Sequence, residues 1–413
     1  MAQAALKRVE IQATSRLRAL MREYFLDLDA AAKDPSRRVA WCTSVGPCEI
    51  LAAFGFAVYF PENHGALLGA RKMSHEIIPR AAGLGYCAEA CSYMNSDIGC
   101  DLTDRSPLKD LYGIDGPPRP DVLVYSTNQC RDVQEWFNYF GQRHDAMVTG
   151  IRPPRHLGEV TREHIADVRG QLERLIERIE IRFELKLDRV RLREVVERSS
   201  RLSALWGRVL DTARHRPSPL TFWDMLIHMA PVILMRGSHE AIAYYETLLA
   251  EMEQRIAAGV AAVPDEQWRI YWEGMPVWPR LRELSEKCFD LRAAVVASTY
   301  CNSWAFEPYT GGDPLDWMAR TSIEIFINRD EIRKERFLEP LFRRFGVDGA
   351  IFHNARTCPN NTNSRYGMPE RLRRRLDLPV LVLDGDLSDI RFFSTAQSMT
   401  NIEAFVEQLE GRK

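Results

Sequence analysis

Short apolar, β-branched runs alternate with helical segments in two separate parts of this chain, and a long stretch with helical periodicity divides them. In the first part RVAWCTSVG (38–46) reads as a buried strand and PCEILAAFG (47–55) as a short helix that starts on Pro47 and stops on Gly55. FAVYFPE (56–62) is the next strand, 71–100 is helical, DVLVYSTNQC (121–130) is a strand, RDVQEWFNYFGQ (131–142) its following helix, and MVTGI (147–151) a last strand. Residues 157–260 keep a helical repeat almost throughout. The alternation then returns, with strands expected at 269–274, 293–299, 347–355 and 378–386 and helices at 278–290, 325–345, 364–376 and 395–410. Strands alternating with helices are the mark of a parallel, doubly wound sheet. The expected fold is therefore α/β: a helical segment (1–37), a first α/β domain (38–156), a helical connector (157–262) and a second α/β domain (263–413).

In open parallel sheets, ligands bind beyond the carboxyl ends of the strands. Thiols gather there in this sequence: Cys42 and Ser44 follow the first strand, Glu62 and His64 the second, Cys130 the third, Cys301 the sixth and Cys358 the seventh. Two sheets facing each other by these ends would form a polar, thiol-lined cleft. The nine cysteines are an odd number scattered along a large chain, so a disulfide framework is not expected. A net charge of -2 gives no electrostatic reason to expect nucleic acid or an anionic membrane as a partner. No apolar run approaches the roughly 18–20 residues of a membrane span, and the amphipathic N-terminus lacks the apolar centre of a secretory signal. The protein is read as cytoplasmic.

Zinc sites bring their ligands in close pairs, and ferredoxin-like clusters use tight cysteine runs. Neither pattern is present; Cys87 and Cys91 have three residues between them. One cysteine from each of three distant loops is a different design, assembled by the fold. Three thiolates on a four-iron cube would leave one iron without a protein ligand, open to substrate as an open position is in catalytic zinc. Spacing alone leaves two rivals standing: structural cysteines, and a nucleophilic cysteine activated by His64 or His353.

Cys91-Ser92-Tyr93-Met94-Asn95-Ser96-Asp97-Ile98-Gly99 resembles the first cluster motif of the 2-hydroxyacyl-CoA dehydratase / benzoyl-CoA reductase family. Pro120-Asp121 through Asn128-Gln129-Cys130 resembles the second, and Asp348-Gly349-Ala350 with His353-Asn354 and Cys358 the third. Leu378 to Asp386, with Asn401 to Phe405, is similar to the family's final strand and helix, and Trp41 to Glu49 with Glu62 to its start. The likeness runs from about residue 38 to the C-terminus. It implies two flavodoxin/Rossmann-like domains, a [4Fe-4S] cluster held by Cys91, Cys130 and Cys358, and single-electron reduction of a CoA thioester to a ketyl radical. It also implies a homologous second subunit and a separate ATP-hydrolysing iron–sulfur activator. Ser44 and Glu62 fall where dehydratase subunits keep a substrate-contacting serine and an acid/base glutamate, and His64 is a further acid/base candidate.

Within that family the sequence is read first as an ATP-dependent aryl-CoA reductase of the benzoyl-CoA type, because only eight of its 55 basic residues are lysine and such an arginine bias fits a GC-rich genome. The 2-hydroxyacyl-CoA dehydratase is the alternative, favoured by chain length and by the Ser44/Glu62 pair. Further alternatives are a double-cubane [8Fe-9S] reductase, with Cys87 as an extra ligand one helical turn before Cys91, and a non-catalytic electron-transfer subunit. Asn401 departs from the arginine many members carry. Tyr300, Trp304 and Phe306 are candidates for an acyl pocket or for core, Asp384 and Asp386 for shaping the last turn, and Arg371 to Arg375 for a solvated helix face.

Overall fold

The computed structural model describes residues 8–155 and 157–412. It contains two four-stranded, all-parallel sheets. The first is built from β1 (Val39–Cys42), β2 (Ala57–Tyr59), β3 (Val122–Ser126) and β4 (Met147–Ile151), in the order β2-β1-β3-β4. The second is built from β5 (Trp268–Glu273), β6 (Ala293–Ser298), β7 (Gly349–Ala355) and β8 (Val380–Gly385), in the order β6-β5-β7-β8. The two sheets share one topology, and all eight expected strands are present. Strands β1, β5 and β6 are buried along their whole length, as strands covered by helices on both faces must be.

This strand order fixes where ligands can bind. In each sheet the chain leaves the first strand to one side and returns on the other, so a crevice opens between β1 and β3, and again between β5 and β7. The loops after β1 and β3 carry Ser44 and Cys130; those after β5 and β7 carry Met275 and Cys358.

Residues 157–262 hold five α-helices, Arg162–Phe183, Arg189–Asp211, Phe222–His228, Ala230–Leu234 and His239–Ala257. They do not hang between two separate cores. Val196, Trp206 and Leu248 from these helices join Val124 and Ile151 of the first sheet, and Ile270 and Val295 of the second, in one continuous apolar cluster. The helix Ala13–Lys33 occupies most of the expected N-terminal segment, whose residues 1–7 lie outside the described residues.

Two local expectations differ from the structure. Residues 56–62 are not one strand: β2 is short, and Pro61 opens a helix, Pro61–Ala70. Proline suits the first helical turn, where its missing N–H has no intrahelical partner in any case. Glu62 and His64 therefore stand on a helix, not in a loop. Residues 71–100 are not one helix either. The helices Ser74–Ala82 and Ser92–Thr103 are separated by turns that begin at Gly83 and run to Cys91. Cys87 lies in those turns, so it is not one helical turn before Cys91.

The helix Pro61–Ala70 lies very close to the helix Ser92–Thr103. A Cβ on Gly65 would stand 2.8 Å from both Cβ and Cγ of Tyr93. Only hydrogen fits there, and the contact sets the spacing of the elements that carry Glu62 and Cys91. Gly65→Val is expected to lower stability by roughly 1–3 kcal/mol, the usual cost of overpacking, read as a shift in urea midpoint at unchanged slope. A midpoint equal to wild type would show that the two helices are free to separate.

Candidate active site

One cavity of about 140 Å³ lies where the two crevices meet, and Ser44, Glu62, Cys91, Cys130 and Cys358 all line it. Three regions of the chain thus deliver their thiols to one place: Cys130 and Cys358 come from strand ends, Cys91 from the turn between two helices, while the strand-end Cys42 and Cys301 stay outside the cavity lining. Each cysteine stands at the start of a helical turn: Cys91 before Ser92–Thr103, Cys130 before Asp132–His144 and Cys358 before the 3₁₀ turn Pro359–Asn361. Backbone N–H groups of those turns, from Met94, Val133 and Asn361, face the sulfurs and favour the thiolate. Burial opposes them and wins. It pushes the Cys130 and Cys358 thiols up to about 12 and Cys91 well above its ordinary value, and neighbouring negative charge raises them further. Without a cation these thiols stay protonated and inert; a bound metal centre would deprotonate them.

Among the described residues, no group of three or more His, Cys, Asp or Glu is placed to hold a single metal ion. A cube makes a different demand, because each cysteine binds a different iron and the sulfurs must stand apart around a cavity. Three thiols on one cavity, each at a helix start, fit that donor set.

The loop after β1 is held from several sides. The Ser44 N–H donates to Glu62 Oε1 at 3.0 Å, and the Ser44 carbonyl accepts from Trp304 Nε1 at 3.1 Å. Asn128 Nδ2 donates to the Val45 carbonyl at 3.3 Å, and the buried Arg236 donates to the Gly46 carbonyl at 2.8 Å. Glu62 sits in the first turn of its helix, where the dipole favours a carboxylate. Desolvation outweighs that and the Ser44 hydrogen bond, and lifts the carboxyl from 4.5 to about 7. Its Oε2 is shut off from solvent and has no partner among the described residues. Glu62 lines the cavity, and that oxygen is committed to no hydrogen bond of its own among the described residues.

His64 is not brought to the cavity. Its Nδ1 lies 2.5 Å from Asp97 Oδ1 and its Nε2 2.9 Å from Ser106 Oγ, while Asp97 Oδ2 accepts from Trp136 Nε1 at 2.9 Å. Both ring nitrogens are spent in a closed network that ties these segments together. His353 is held through Nδ1 by the Met275 carbonyl at 2.6 Å and pairs with no cysteine among the described residues. Cys87 is exposed, while Cys42, Cys48, Cys100, Cys288 and Cys301 are buried away from the cavity lining. Tyr300 and Trp304 line the cavity. Phe306 does not; it packs against Trp317. Arg373 and Arg374 are occupied by Glu370, and Arg371 and Arg375 by Glu335, as on a solvated helix face.

Asp386 does more than shape the last turn. This fully buried carboxylate accepts from Ser92 Oγ (2.6 Å), the Thr357 N–H (2.9 Å), Thr357 Oγ1 (2.6 Å), and the Ser388 and Asp389 N–H groups (3.0 and 2.9 Å). Ser92 follows Cys91 and Thr357 precedes Cys358, so one carboxylate sets the distance between two of the thiols. Its place just beyond the end of β8 is the signal the sequence offers. Asp384 instead accepts from Asn354 at the surface.

Comparison with known proteins places the chain in a family. The family described as "2-hydroxyglutaryl-CoA dehydratase, D-component" matches residues 43–409, and the chain belongs to that family. It is 30% identical to the (R)-2-hydroxyisocaproyl-CoA dehydratase alpha subunit of Clostridioides difficile, over 92% of each chain. It is 28% identical to lactoyl-CoA dehydratase subunit alpha of Anaerotignum propionicum (93% of this chain, 94% of the other). It is also 26% identical to a benzoyl-CoA reductase subunit of Thauera aromatica (88% and 87%). No helix among the described residues is long and apolar enough to cross a membrane.

The site makes two demands on stability that can be measured. Asp386→Asn places donors against donors and leaves buried groups unpaired, at roughly 1–3 kcal/mol each; a loss of at least about 3 kcal/mol is expected in urea melts, and near-wild-type stability would contradict the hub. Glu62 holds its proton more tightly folded than unfolded, so its contribution is most favourable below the unfolded value and is lost as pH rises towards about 7. Glu62→Gln is therefore expected to stabilise the protein by roughly 2–3 kcal/mol at pH 8 and by nearly nothing at pH 4. An equal effect at both pH values would contradict the burial argument.

Proposed function

We propose that the chain is the cluster-bearing, alpha-type subunit of a 2-hydroxyacyl-CoA dehydratase. The observation that carries this reading is Glu62 Oε2, buried, unpartnered among the described residues and poised near neutrality on the same cavity as Cys91, Cys130 and Cys358. Elimination of water needs a group that can hold and release a proton beside the reacting carbons, and a carboxyl of pKa about 7 suits that task at neutral pH. When bound, a [4Fe-4S] cluster on the three thiols supplies one electron at a time and one iron without a protein ligand.

The chain's own residues do the rest. Ser44 fixes Glu62 through its N–H on Oε1, which leaves Oε2 without a partner among the described residues. Trp304 and Arg236 hold the Ser44 loop against movement. Leu226, Met229, Ala230 and Ile233 contribute an apolar wall from the helical region, which supports an uncharged acyl group and keeps water from the reacting centre. A related second subunit and an ATP-hydrolysing iron–sulfur activator complete the enzyme. The exposed Cys87 and the five cysteines set away from the cavity favour a single cube over a double cubane.

A second reading, an aryl-CoA reductase of the benzoyl-CoA type, is favoured by the aromatic side chains Tyr93, Trp136, Trp278 and Tyr300 on the same cavity. The arginine-rich composition that points the same way has no bearing on the site. Turnover separates the two. With its partner subunit and activator under anaerobic conditions, the protein is expected to dehydrate 2-hydroxyisocaproyl-CoA and to leave benzoyl-CoA unreduced. Glu62→Gln is expected to lower kcat at least about 100-fold, with iron content unchanged, and to remove an ionisation near pH 7 from the wild-type profile. Reduction of benzoyl-CoA without dehydration would favour the second reading. Electron transfer with turnover of neither substrate would make the chain a relay subunit.

A further inference from the structure

Arg155 is a cation whose donors lack a partner among the described residues. Its Nε and Nη2 are both shut off from solvent and neither makes a hydrogen bond there, although the residue as a whole is half-buried. Two other buried arginines have acceptors. Arg236 leaves its Nε unpartnered among the described residues but donates to the Gly46 carbonyl and faces Glu49 at 3.6 Å, and Arg269 pairs with Glu266 at 2.6 Å and donates to the Phe345 carbonyl. Leaving guanidinium donors desolvated and unpaired is costly, so an anion is expected opposite Arg155 in the working protein.

The backbone holds Arg155 in place. It follows β4 after Pro153 and Pro154, whose rings restrict the chain. The loop after β3, which leads to Cys130, is tied to the end of β4 by the Thr127 N–H donating to the Ile151 carbonyl at 3.1 Å. On the far side Leu157 bridges to the Arg329 segment, donating to the Asn328 carbonyl at 3.3 Å. Burial pulls the guanidinium pKa down, and Cys130 and Cys358 are close enough that, once ionised, they would push it back up. Another acid in this part of the site, Asp132, accepts from the Cys91 N–H at 3.4 Å and forms no ion pair with Arg155 among the described residues.

We infer that Arg155 is a positioning residue for the iron–sulfur cluster: it does not line the cavity, but its positive charge, unpaired among the described residues, offsets the negative charge of the centre held by Cys130 and Cys358. This rests on the cluster reading proposed above. Net charge and hydrogen bonds to sulfur are two of the terms that set a cluster's reduction potential, and a cation at this place favours the reduced, more negative state. Arg155 would then make it easier for the cluster to accept an electron from the activator, without itself touching the substrate.

Wild type, Arg155→Gln and Arg155→Lys, prepared anaerobically, would be compared by iron content and by a mediator titration followed by electron paramagnetic resonance. Arg155→Gln is expected to shift the reduction equilibrium at least tenfold toward the oxidised cluster, a fall in midpoint of about 59 mV for one electron. Arg155→Lys, which keeps the charge but loses the fork, is expected to recover most of that shift. Should the glutamine variant lose iron while the lysine variant keeps it, charge compensation is supported by retention instead. A glutamine variant with full iron and an unchanged midpoint would overturn the inference while leaving the cluster reading intact. Loss of iron from both variants with native circular dichroism would also overturn it. Wild type without iron would overturn the cluster reading itself, and this inference with it.

Discussion

The buried carboxylate of Asp386 is the interaction on which the site's geometry depends. It collects five donors from three segments, and two of those segments carry Cys91 and Cys358. A carboxylate in that position is stable because its oxygens are fully used by hydrogen bonds, most of them short. The consequence is mechanical: the thiol from the first half of the chain and the thiol from the second half cannot move apart without breaking this hub. Trp304 makes the complementary link, from the second half back to the Ser44 carbonyl. The cavity is thus closed by bonds that cross between the two sheets, supported by helices that share one core with both.

Around this frame, desolvation decides the electrostatics. The helix-start positions of the three cysteines and of Glu62 all favour negative charge, yet burial raises every one of their pKa values. The same force has opposite uses. It keeps the thiols neutral until something positive binds them, and it brings a carboxyl into the range where it can exchange protons at physiological pH. Glu62 and the three thiols share one cavity, so under the proposed function proton transfer and electron transfer would share it too.

Much of this is legible in the sequence, for physical reasons. Parallel strands read as short apolar, β-branched runs, so all eight stand out although only some are buried along their whole length, and the strand-end rule points to Ser44, Glu62, Cys130 and Cys358. Helix boundaries are less visible. Pro61 reads as the end of a strand and is the first turn of a helix, because both roles tolerate a proline after an extended residue. His64 looks like an acid/base residue by position, and only the partners of its two nitrogens, Asp97 and Ser106, reveal a structural tie. Asp386 shows only its place beyond β8, and its local donors Ser388 and Asp389 suit a plain turn; the donors 29 and 294 positions away that make it a hub are not legible. Arg155 has no local signature and is defined by the lack of a partner among the described residues.

The central claim is that Cys91, Cys130 and Cys358 together hold one cluster. Iron and acid-labile sulfide, measured on protein purified without oxygen, test it most directly when wild type is set beside the three single Cys→Ala variants and Cys87→Ala. Wild type and Cys87→Ala are expected to carry about four irons per chain, and each of the other three variants to lose most of them. Iron-free wild type, or a full complement in Cys130→Ala, would contradict the account.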